Sequence, residues 1–190
     1  MKINEIFYSL QGEGRYAGTP AVFVRFSGCN LRCGFCDTSH DSGIEMTGEE
    51  IVEHIERYPA KRVILTGGEP TLQITASFIA LLHSRGYRIH VESNGTNPLP
   101  APVDWLVCSP KGSVETVKAT DIDELKVVFD SEECDPNRYR SIPAKTYYVQ
   151  PCDFKDSVRN RNIIAAAVEF VKNNPDWNLS LQTHKLINIP

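Results

Sequence analysis

Residues 29–36 read Cys-Asn-Leu-Arg-Cys-Gly-Phe-Cys, and the spacing of these three cysteines decides how the rest of the chain is interpreted. Thiolate sulfur is a soft ligand that suits iron–sulfur clusters and zinc, and a closed structural site normally takes four protein ligands. Three cysteines in a short loop therefore leave one coordination position open for another molecule. Zinc stays an alternative, because His40 follows the third cysteine closely and would complete a set of four.

Composition limits the size, compartment and partners of the protein. The 190 residues, of which 41% are hydrophobic and 23% charged, fit a single globular domain over residues 1–190. The net charge of −4 argues against a broad nucleic-acid surface and favours a small-molecule substrate, because nonspecific binding needs Lys and Arg to neutralise phosphates. The sequence has no membrane-spanning run and no signal-peptide pattern, so we expect no membrane partner and a cytoplasmic protein with reduced cysteines.

Strand patterns recur along the chain between helical patterns. The first is Ala-Val-Phe-Val-Arg-Phe-Ser at 21–27, where Val22, Val24 and Phe26 share one face. The run at 62–66 is short and apolar, and the run at 87–93 alternates. About six strands are predicted in total, at residues 21–27, 62–66, 87–93, 105–109, 124–129 and 146–150.

Three helices are predicted between or after these strands. Thr47 and Glu50 form a capping box, which predicts a helix that runs to about Arg57. A second helix should cover about 73–85 and end at Gly86, and a third should cover about 157–173. The apolar positions expected to face the sheet are Phe78, Ile79 and Leu82 in the second helix, and Ile164, Val168 and Val171 in the third.

This alternation predicts an α/β fold with a mostly parallel sheet and a site at the carboxyl ends of its strands. Eight complete strand–helix units would need roughly 250 residues, so an open, incomplete barrel with few helices fits better. Missing helices would leave apolar sheet surface exposed, which a second copy of the chain could cover. We therefore expect a homodimer.

Gly67-Gly68-Glu69-Pro70 follows a predicted strand. Glycines let a backbone approach a ligand closely, and a strand end leaves N–H and C=O groups free to meet one, although an ordinary turn has the same sequence. Together with the cysteine spacing, this segment resembles the radical SAM superfamily. The resemblance implies that Cys29, Cys33 and Cys36 hold a 4Fe–4S cluster whose open iron binds S-adenosylmethionine (SAM).

Further segments bracket the cysteines over residues 5–190 and narrow the resemblance to the 7-carboxy-7-deazaguanine synthase family. They are Leu10-Gln-Gly-Glu-Gly14, Arg25, Asp37-Thr38, Glu92-Ser-Asn-Gly-Thr96, Ser109-Pro-Lys111, Gln150-Pro-Cys-Asp153 and the final stretch from His184 to Pro190. The resemblance implies a ring contraction of 6-carboxy-5,6,7,8-tetrahydropterin to 7-carboxy-7-deazaguanine with loss of ammonia, in queuosine biosynthesis. A SAM-derived radical would remove hydrogen from C6, and SAM would be regenerated.

The resemblance also implies roles for individual residues and partners. An electron donor such as flavodoxin or ferredoxin would reduce the cluster, and a magnesium ion would be bound by Thr38. Substrate contacts would fall on Leu10, Gln11, Gly12, Arg25, Thr66, His184 and Pro190. SAM contacts would fall on Phe35, Cys36, Asp37, Gly68, Ser109, Pro110, Lys111, Gln150, Pro151, Cys152 and Asp153.

The chemistry of these side chains agrees with such roles, although each has a simpler alternative. Arg25 can bind a carboxylate through two N–H groups, or it can belong to a surface ion pair. The terminal carboxylate of Pro190 can accept from the two-donor edge of a guanine-like ring. His184 can be structural, and Thr38 can cap a turn instead of offering the hard oxygen that Mg²⁺ prefers.

Two other functions compete with this interpretation. A small radical SAM activase, which makes a glycyl radical on a partner protein, shares the cysteine spacing but must admit a peptide loop. A zinc-stabilised binding module would be no enzyme at all.

Overall fold

The computed structural model describes residues 1–131 and 133–190, and these residues form one sheet of nine strands. The strands are β1 (Lys2–Leu10), β2 (Pro20–Phe26), β3 (Ile44–Glu45), β4 (Arg62–Gly67), β5 (Arg88–Ser93), β6 (Trp105–Cys108), β7 (Ile122–Phe129), β8 (Ala144–Pro151) and β9 (Trp177–Leu179). The helices are α1 (Gly48–Ile55), α2 (Ala76–Ser84), α3 (Ser157–Asn173) and α4 (Thr183–Leu186). Within the described ranges, no helix is long and apolar enough to cross a membrane.

The strand order is β3-β1-β2-β4-β5-β6-β7-β8-β9, and every pair from β2 to β9 is parallel. Strand β1 is antiparallel to both of its neighbours. The predicted open, mostly parallel α/β sheet is confirmed, since β3 and β9 stay apart at its two edges.

The prediction of about six strands is wrong, because β1, β3 and β9 were missed. Strand β3 has 2 residues and β9 has 3, which is too short for an alternating pattern. Strand β1 has 9 residues, but its pairing with β2 shifts between Ile3 and Glu5, and this bulge interrupts the alternation of its side chains.

The local helix signals are largely confirmed. Thr47 and Glu50 make both hydrogen bonds of the capping box at the start of α1. Phe78, Ile79 and Leu82 are buried in α2. This helix begins at Ala76 rather than 73, because residues 70–72 form a 3₁₀ turn and the Thr75 side chain caps the helix at the Phe78 N–H.

The predicted inner face of α3 is correct only at Val171, which packs against the core. Ile163 and Ala167 are the buried positions of this helix, whereas Ile164 is exposed. Phe170 continues the inner stripe and packs against Phe129 and Trp177, with ring centroids 6.1 and 5.9 Å apart. The sequence allowed two overlapping apolar stripes, and the aromatic contacts with the sheet select the one that includes Phe170.

The convex face of the sheet is apolar and covered throughout β4 to β8. Helices α1, α2 and α3 cover part of it. No α-helix in the described ranges connects β5 to β6, β6 to β7 or β7 to β8, and loop residues cover these strands instead: Leu99, Ala101, Val103, Val114, Val117, Ala119, Tyr139 and Ile142. The expected exposed sheet surface is therefore not found over β4 to β8, although Tyr8 in β1 and Ile44 in β3 are exposed, and the homodimer stays a prediction.

The concave face carries the polar side chains. Alternate residues of β5 and β7, such as Glu92 and Lys126, point away from the apolar layer that Val91 and Val127 join. Because seven neighbouring strands run in parallel, their carboxyl ends meet along one edge of the curved sheet. The segment that begins at Ser109 follows β6, and the segment that begins at Gln150 includes the end of β8. These two segments therefore come together around one cavity.

Candidate active site

A cavity of about 520 Å³ opens at the carboxyl ends of the parallel strands. Every residue that the resemblance assigned to the cluster, SAM, magnesium or the substrate lines it except Pro110, which is buried. The sequence-distant groups are therefore brought together as expected. His40, the alternative fourth ligand for zinc, does not line the cavity. The structure brings in further cavity residues to which the sequence assigned no role, among them Glu13, Glu92, Lys126 and Gln182.

The cysteine loop (residues 28–38) follows β2 and forms one end of this cavity. Cys29 and Cys33 are half-buried and Cys36 is exposed. The Leu31 N–H donates to Cys29 Sγ at 3.4 Å, and the Cys36 N–H donates to the Cys33 carbonyl at 3.1 Å. Burial raises the pKa of the Cys33 thiol, and the neighbouring Cys36 and Cys29 sulfurs add to the rise against the opposing effect of Lys111.

Three thiols at one end of a cavity, one of which already accepts a backbone N–H, fit the thiolate ligation of an iron–sulfur cluster. In the described part of the chain, no three His, Cys, Asp or Glu side chains stand close enough to hold a single metal ion.

The Gly-Gly-Glu segment joins the end of β4 to the cysteine loop. A Cβ at Gly68 would lie 1.9 Å from the Gly28 carbonyl oxygen, so only glycine permits this close approach. The expectation of free N–H groups here is wrong, because the Gly68 and Glu69 N–H groups donate to the Phe26 and Gly28 carbonyls at 3.0 and 2.9 Å. Their pairing instead holds the cysteine loop against β4.

Glu69 is fully buried and does not line the cavity. Its Oε1 accepts from the Thr71 N–H and from the Ser93 hydroxyl, and its Oε2 accepts from the Asn94 N–H at 2.7 Å. Asn94 in turn donates to Asn30 Oδ1 at 3.0 Å. This carboxylate therefore ties the ends of β4 and β5 to the cysteine loop.

Arg25 lies on the concave face of β2, opposite Thr66 in the sheet register. Its Nε donates to Glu5 Oε1 at 2.6 Å, and its guanidinium lies 5.6 Å from the centre of the Phe7 ring. The surface ion pair that was the simpler alternative to a binding role for Arg25 is present, and the Arg25 side chain also lines the cavity. One guanidinium has enough N–H donors for both Glu5 and a ligand carboxylate.

Lys126 lies between two carboxylates, and we call Glu13, Glu92 and Lys126 the charged triad. Lys126 Nζ is 2.5 Å from Glu13 Oε2 and 2.9 Å from Glu92 Oε2. Two amides hold the outer oxygens: Gln11 Nε2 donates to Glu92 Oε1 at 3.1 Å, and Gln182 Nε2 donates to Glu13 Oε1 at 3.0 Å.

The electrostatics of the triad follow from this pairing. Burial by itself would raise the pKa of Glu13, but the attraction of Lys126 outweighs it and lowers this pKa to about 2. Burial opposes the charge on Lys126 as well, yet Glu13 and Glu92 raise its pKa above the ordinary value. Glu13 and Lys126 therefore interact as opposite charges at neutral pH.

The last residues of the chain close the cavity against the loop that follows β1. The Thr183 N–H and hydroxyl both donate to the Gly12 carbonyl at 2.9 Å. His184 packs so tightly on Gly12 that a Cβ there would lie 2.0 Å from its Nδ1. The Ser9 hydroxyl donates to the Pro190 carbonyl at 2.7 Å, which places the terminal residue at the cavity.

Comparison with known proteins agrees with this site. The Radical SAM superfamily pattern matches residues 23–118, which include the three cysteines and the Gly-Gly-Glu segment. The 7-carboxy-7-deazaguanine synthase of Bacteroides thetaiotaomicron is 51% identical, with 99% of this chain and 98% of that protein covered. That of Caulobacter vibrioides is 41% identical over 99% of this chain and 98% of its own length.

The chain belongs to the 7-carboxy-7-deazaguanine synthase family. The crystal structure of QueE from Escherichia coli agrees, with a TM-score of 0.73 at 25% identity over 96% of this chain and 94% of that one. Family membership makes this chain a radical SAM enzyme, a lyase, and not a zinc-stabilised binding module. Nothing in the structure or the comparisons favours the glycyl-radical activase.

As a radical SAM enzyme of this family, the chain uses a 4Fe–4S cluster and SAM. The segments expected to contact SAM lie together around the cysteine loop. Lys111 is largely buried, donates to the Ser109 hydroxyl and lies 6.0 Å from the centre of the Phe35 ring. Burial and then Lys126 lower the pKa of Lys111.

The family resemblance assigned no role to Lys126 and Gln182, and the chain sequence offered a signal for only one of them. Lys126 occupies the polar position between Leu125 and Val127 in the alternation of a predicted strand, which indicates a charged side chain on the face opposite the apolar layer. Gln182 lies in the turn before α4 and shows no pattern. Its role follows only from its contact with Glu13, which is 169 residues away in sequence.

Proposed function

We propose that this chain converts 6-carboxy-5,6,7,8-tetrahydropterin into 7-carboxy-7-deazaguanine with loss of ammonia. The observation that supports this most is that one cavity of about 520 Å³ holds both the three thiols and a polar set able to recognise a small, donor-rich ring with a carboxylate. A cavity of this size suits a small ligand beside a cofactor.

The cofactor end of the cavity is the cysteine loop with the ends of β4, β6 and β8. When bound there, the cluster and SAM supply the radical chemistry that starts the ring contraction. The proposed SAM contacts are those named from the sequence: Phe35, Cys36, Asp37, Gly68, Ser109, Pro110, Lys111, Gln150, Pro151, Cys152 and Asp153. Because Pro110 does not line the cavity, we expect its contribution to be the positioning of its neighbours.

The substrate end contains cations and hydrogen-bond acceptors in separate places. Arg25 would bind the substrate carboxylate, since a guanidinium pairs with a carboxylate through two N–H groups. A tetrahydropterin ring carries several N–H donors, and carboxylates accept such bonds without donating any. Glu13 and Glu92 would supply these acceptors, and Pro190 lines the same cavity.

The remaining proposed substrate contacts are Leu10, Gln11, Gly12, Thr66 and His184. Gln11 and His184 belong to the two segments that pack on each other at the cavity, so they can enclose a ligand and exclude water. Burial lowers the pKa of His184, which favours its neutral form at neutral pH.

A magnesium ion would be bound by Thr38. Thr38 Oγ1 lies 3.5 Å from Asp37 Oδ1, and both line the cavity, so two hard oxygens are adjacent. Mg²⁺ commonly takes only one or two protein oxygens and completes its shell with water and substrate oxygens, so this small donor set fits it.

Anaerobic turnover tests the proposal. The protein with its cluster restored, a chemical reductant, SAM, Mg²⁺ and carboxytetrahydropterin should form 7-carboxy-7-deazaguanine with SAM regenerated. A preparation that cleaves SAM but forms no deazaguanine would refute the proposed substrate. Removing Mg²⁺ with a chelator should lower turnover strongly, and Thr38→Val should raise the magnesium concentration needed for half-maximal activity.

The oligomeric state, the cellular compartment and the electron donor are proposed from membership of the family. We propose a cytoplasmic homodimer that receives its electron from a flavodoxin or ferredoxin. Light scattering during gel filtration tests the assembly, and a monomer at all working concentrations would refute it. Replacement of the chemical reductant by each electron carrier tests the donor.

A further inference from the structure

The charged triad joins three elements that are distant in sequence. Glu13 lies in the loop after β1, Glu92 lies in β5, and Lys126 lies in β7. The Lys126 side chain is only 5% exposed, and each carboxylate is 18% exposed. A buried ammonium between two carboxylates is costly to desolvate and is retained only where its partners are well placed.

Other charged groups face the triad from neighbouring elements. Glu124 lies two residues before Lys126 on the same strand, and burial raises its pKa. Lys111 approaches from the loop after β6, and His184 approaches Glu13 from α4. Lys126 is the group among these that makes direct ion pairs with both Glu13 and Glu92.

Each carboxylate of the triad keeps acceptor capacity for a ligand. One oxygen of each binds Lys126, and the other accepts from Gln11 or Gln182. An ionised carboxylate offers about four acceptor sites, so these contacts orient both groups and still leave lone pairs. Both carboxylates line the cavity.

We propose that Lys126 is a positioning residue for substrate recognition: through its two ion pairs it holds Glu13 and Glu92 side by side so that both act as acceptors toward the N–H donors of the pterin ring. The substrate in this statement rests on the proposed function. The argument for Lys126 rests on the two short ion pairs and on the burial of its side chain.

The physical reason is that two carboxylates held close together in a buried site cannot both stay ionised without a cation between them. One of them then takes up a proton. A protonated carboxyl loses its negative charge and replaces one acceptor oxygen by an O–H donor, so its attraction for the ring donors is weakened. Lys126 prevents this change without itself needing to touch the substrate.

The test compares Lys126→Met with the wild type. Methionine keeps the length and removes the charge. We expect KM for carboxytetrahydropterin to rise at least about tenfold at pH 7, as for loss of a charged hydrogen bond, with little change in KM for SAM. The ratio of variant to wild-type kcat/KM should rise with pH from 6 to 9, because the extra proton is lost at higher pH. Taking the ratio cancels titration of the substrate itself.

Lys145→Met is the matched control. Lys145 pairs with a buried carboxylate of the same sheet, Asp123, at 2.5 Å, but neither residue lines the cavity. Lys145→Met should keep the wild-type KM for carboxytetrahydropterin, and the ratio of its kcat/KM to that of the wild type should not depend on pH. If Lys126→Met instead matches Lys145→Met in both respects, Lys126 has no positioning role.

A double variant, Lys126→Met with Glu92→Gln, separates positioning from a purely structural role. The double variant returns the triad to the net charge of the wild type. The ratio of its kcat/KM to that of the wild type should therefore not vary with pH, although its affinity for the substrate is reduced. A ratio that rises with pH as in the single variant would overturn the proposal. If Lys126→Met fails to fold, the double variant decides the question by the same criterion.

Equilibrium dialysis of 6-carboxypterin against the SAM-loaded enzyme gives a readout without turnover. Lys126→Met should bind it at least about tenfold more weakly at pH 7, with recovery toward pH 9. Unchanged binding would refute the role of Lys126. A wild type that forms no deazaguanine refutes the proposed function instead, so the two failures are distinguishable.

Discussion

The cysteine loop and the charged triad occupy the same cavity but are built in opposite ways. The three cysteines lie within 29–36, and their side chains are half-buried or exposed. The three residues of the triad are contributed by separate elements, and Lys126 is almost fully buried. We infer that the loop carries chemistry the fold does not need, whereas the triad ties recognition of the substrate to stability of the sheet.

The largest effect should come from Cys33→Ala in the cysteine loop. Losing one of three thiolates should remove the cluster and lower SAM cleavage by more than about 1000-fold, because the radical chemistry belongs to the cofactor. The free energy of unfolding of the cofactor-free protein should change by no more than about 0.5 kcal/mol. Iron content, 5′-deoxyadenosine formation and urea denaturation measure these quantities.

Cys134→Ala is the control for that variant. Cys134 is half-buried and does not line the cavity, so its removal should leave iron content unchanged. A Cys33→Ala protein that kept its iron would contradict the assignment of the cluster to this loop.

Lys126→Met, unlike Cys33→Ala, should lower the free energy of unfolding strongly. Removing one partner of a buried ion pair leaves unpaired charge and costs about 3 kcal/mol or more. Urea denaturation of the cofactor-free protein at pH 7 measures this loss. Equal stability of Lys126→Met and wild type would contradict the coupling of the triad to the fold.

The third prediction concerns acid stability and Glu13. Its pKa is about 2 in the folded protein, against an ordinary value of 4.5 that applies after unfolding. The unfolded chain therefore takes up the proton first as the pH falls, and the stabilisation from Glu13 is complete above about pH 5 and lost toward pH 2. The stability difference between wild type and Glu13→Gln should shrink over this window.

Denaturation at pH 7, 5, 4 and 3 checks that prediction, because every other group cancels in the difference. A difference that stayed constant down to pH 3 would mean that Glu13 is not held ionised by Lys126.

The smallest effect is expected from Lys185→Met. Lys185 Nζ pairs with Asp37 at 2.7 Å and with Asp153 at 3.1 Å, and so joins α4 to the cysteine loop and the end of β8. These groups are partly exposed, so loss of the pairs should cost at most about 1 kcal/mol. KM for SAM should rise a few-fold, more at low salt than at high salt.

Lys172→Met is the control, because Lys172 pairs with Glu169 on the exposed face of α3 and does not line the cavity. It should change neither KM nor stability measurably. If Lys185→Met raised KM for SAM no more than Lys172→Met does, the pairs at the cysteine loop would have no function in cofactor binding.

The success of sequence-based prediction followed the range of the interactions involved. The capping box at Thr47 and the inner residues of α2 depend on neighbours a few positions away, and both were predicted correctly. The inner face of α3 was mispredicted at Ile164, because the choice between two apolar stripes depends on Phe129 and Trp177. Strand β1 was missed for a similar reason, since its bulge is defined by its pairing with β2.

The sequence by itself determined the chemistry of this protein, because cluster ligation needs only three thiols at fixed spacing on one short loop. It also determined the parallel sheet, whose apolar strands recur between helices. Only the tertiary structure decided that Lys126 pairs with both Glu13 and Glu92, that Glu69 is a buried tie rather than a cavity residue, and that His184 packs on Gly12. Such contacts depend on which side chains the curvature of the sheet brings together, and no spacing along the chain encodes that.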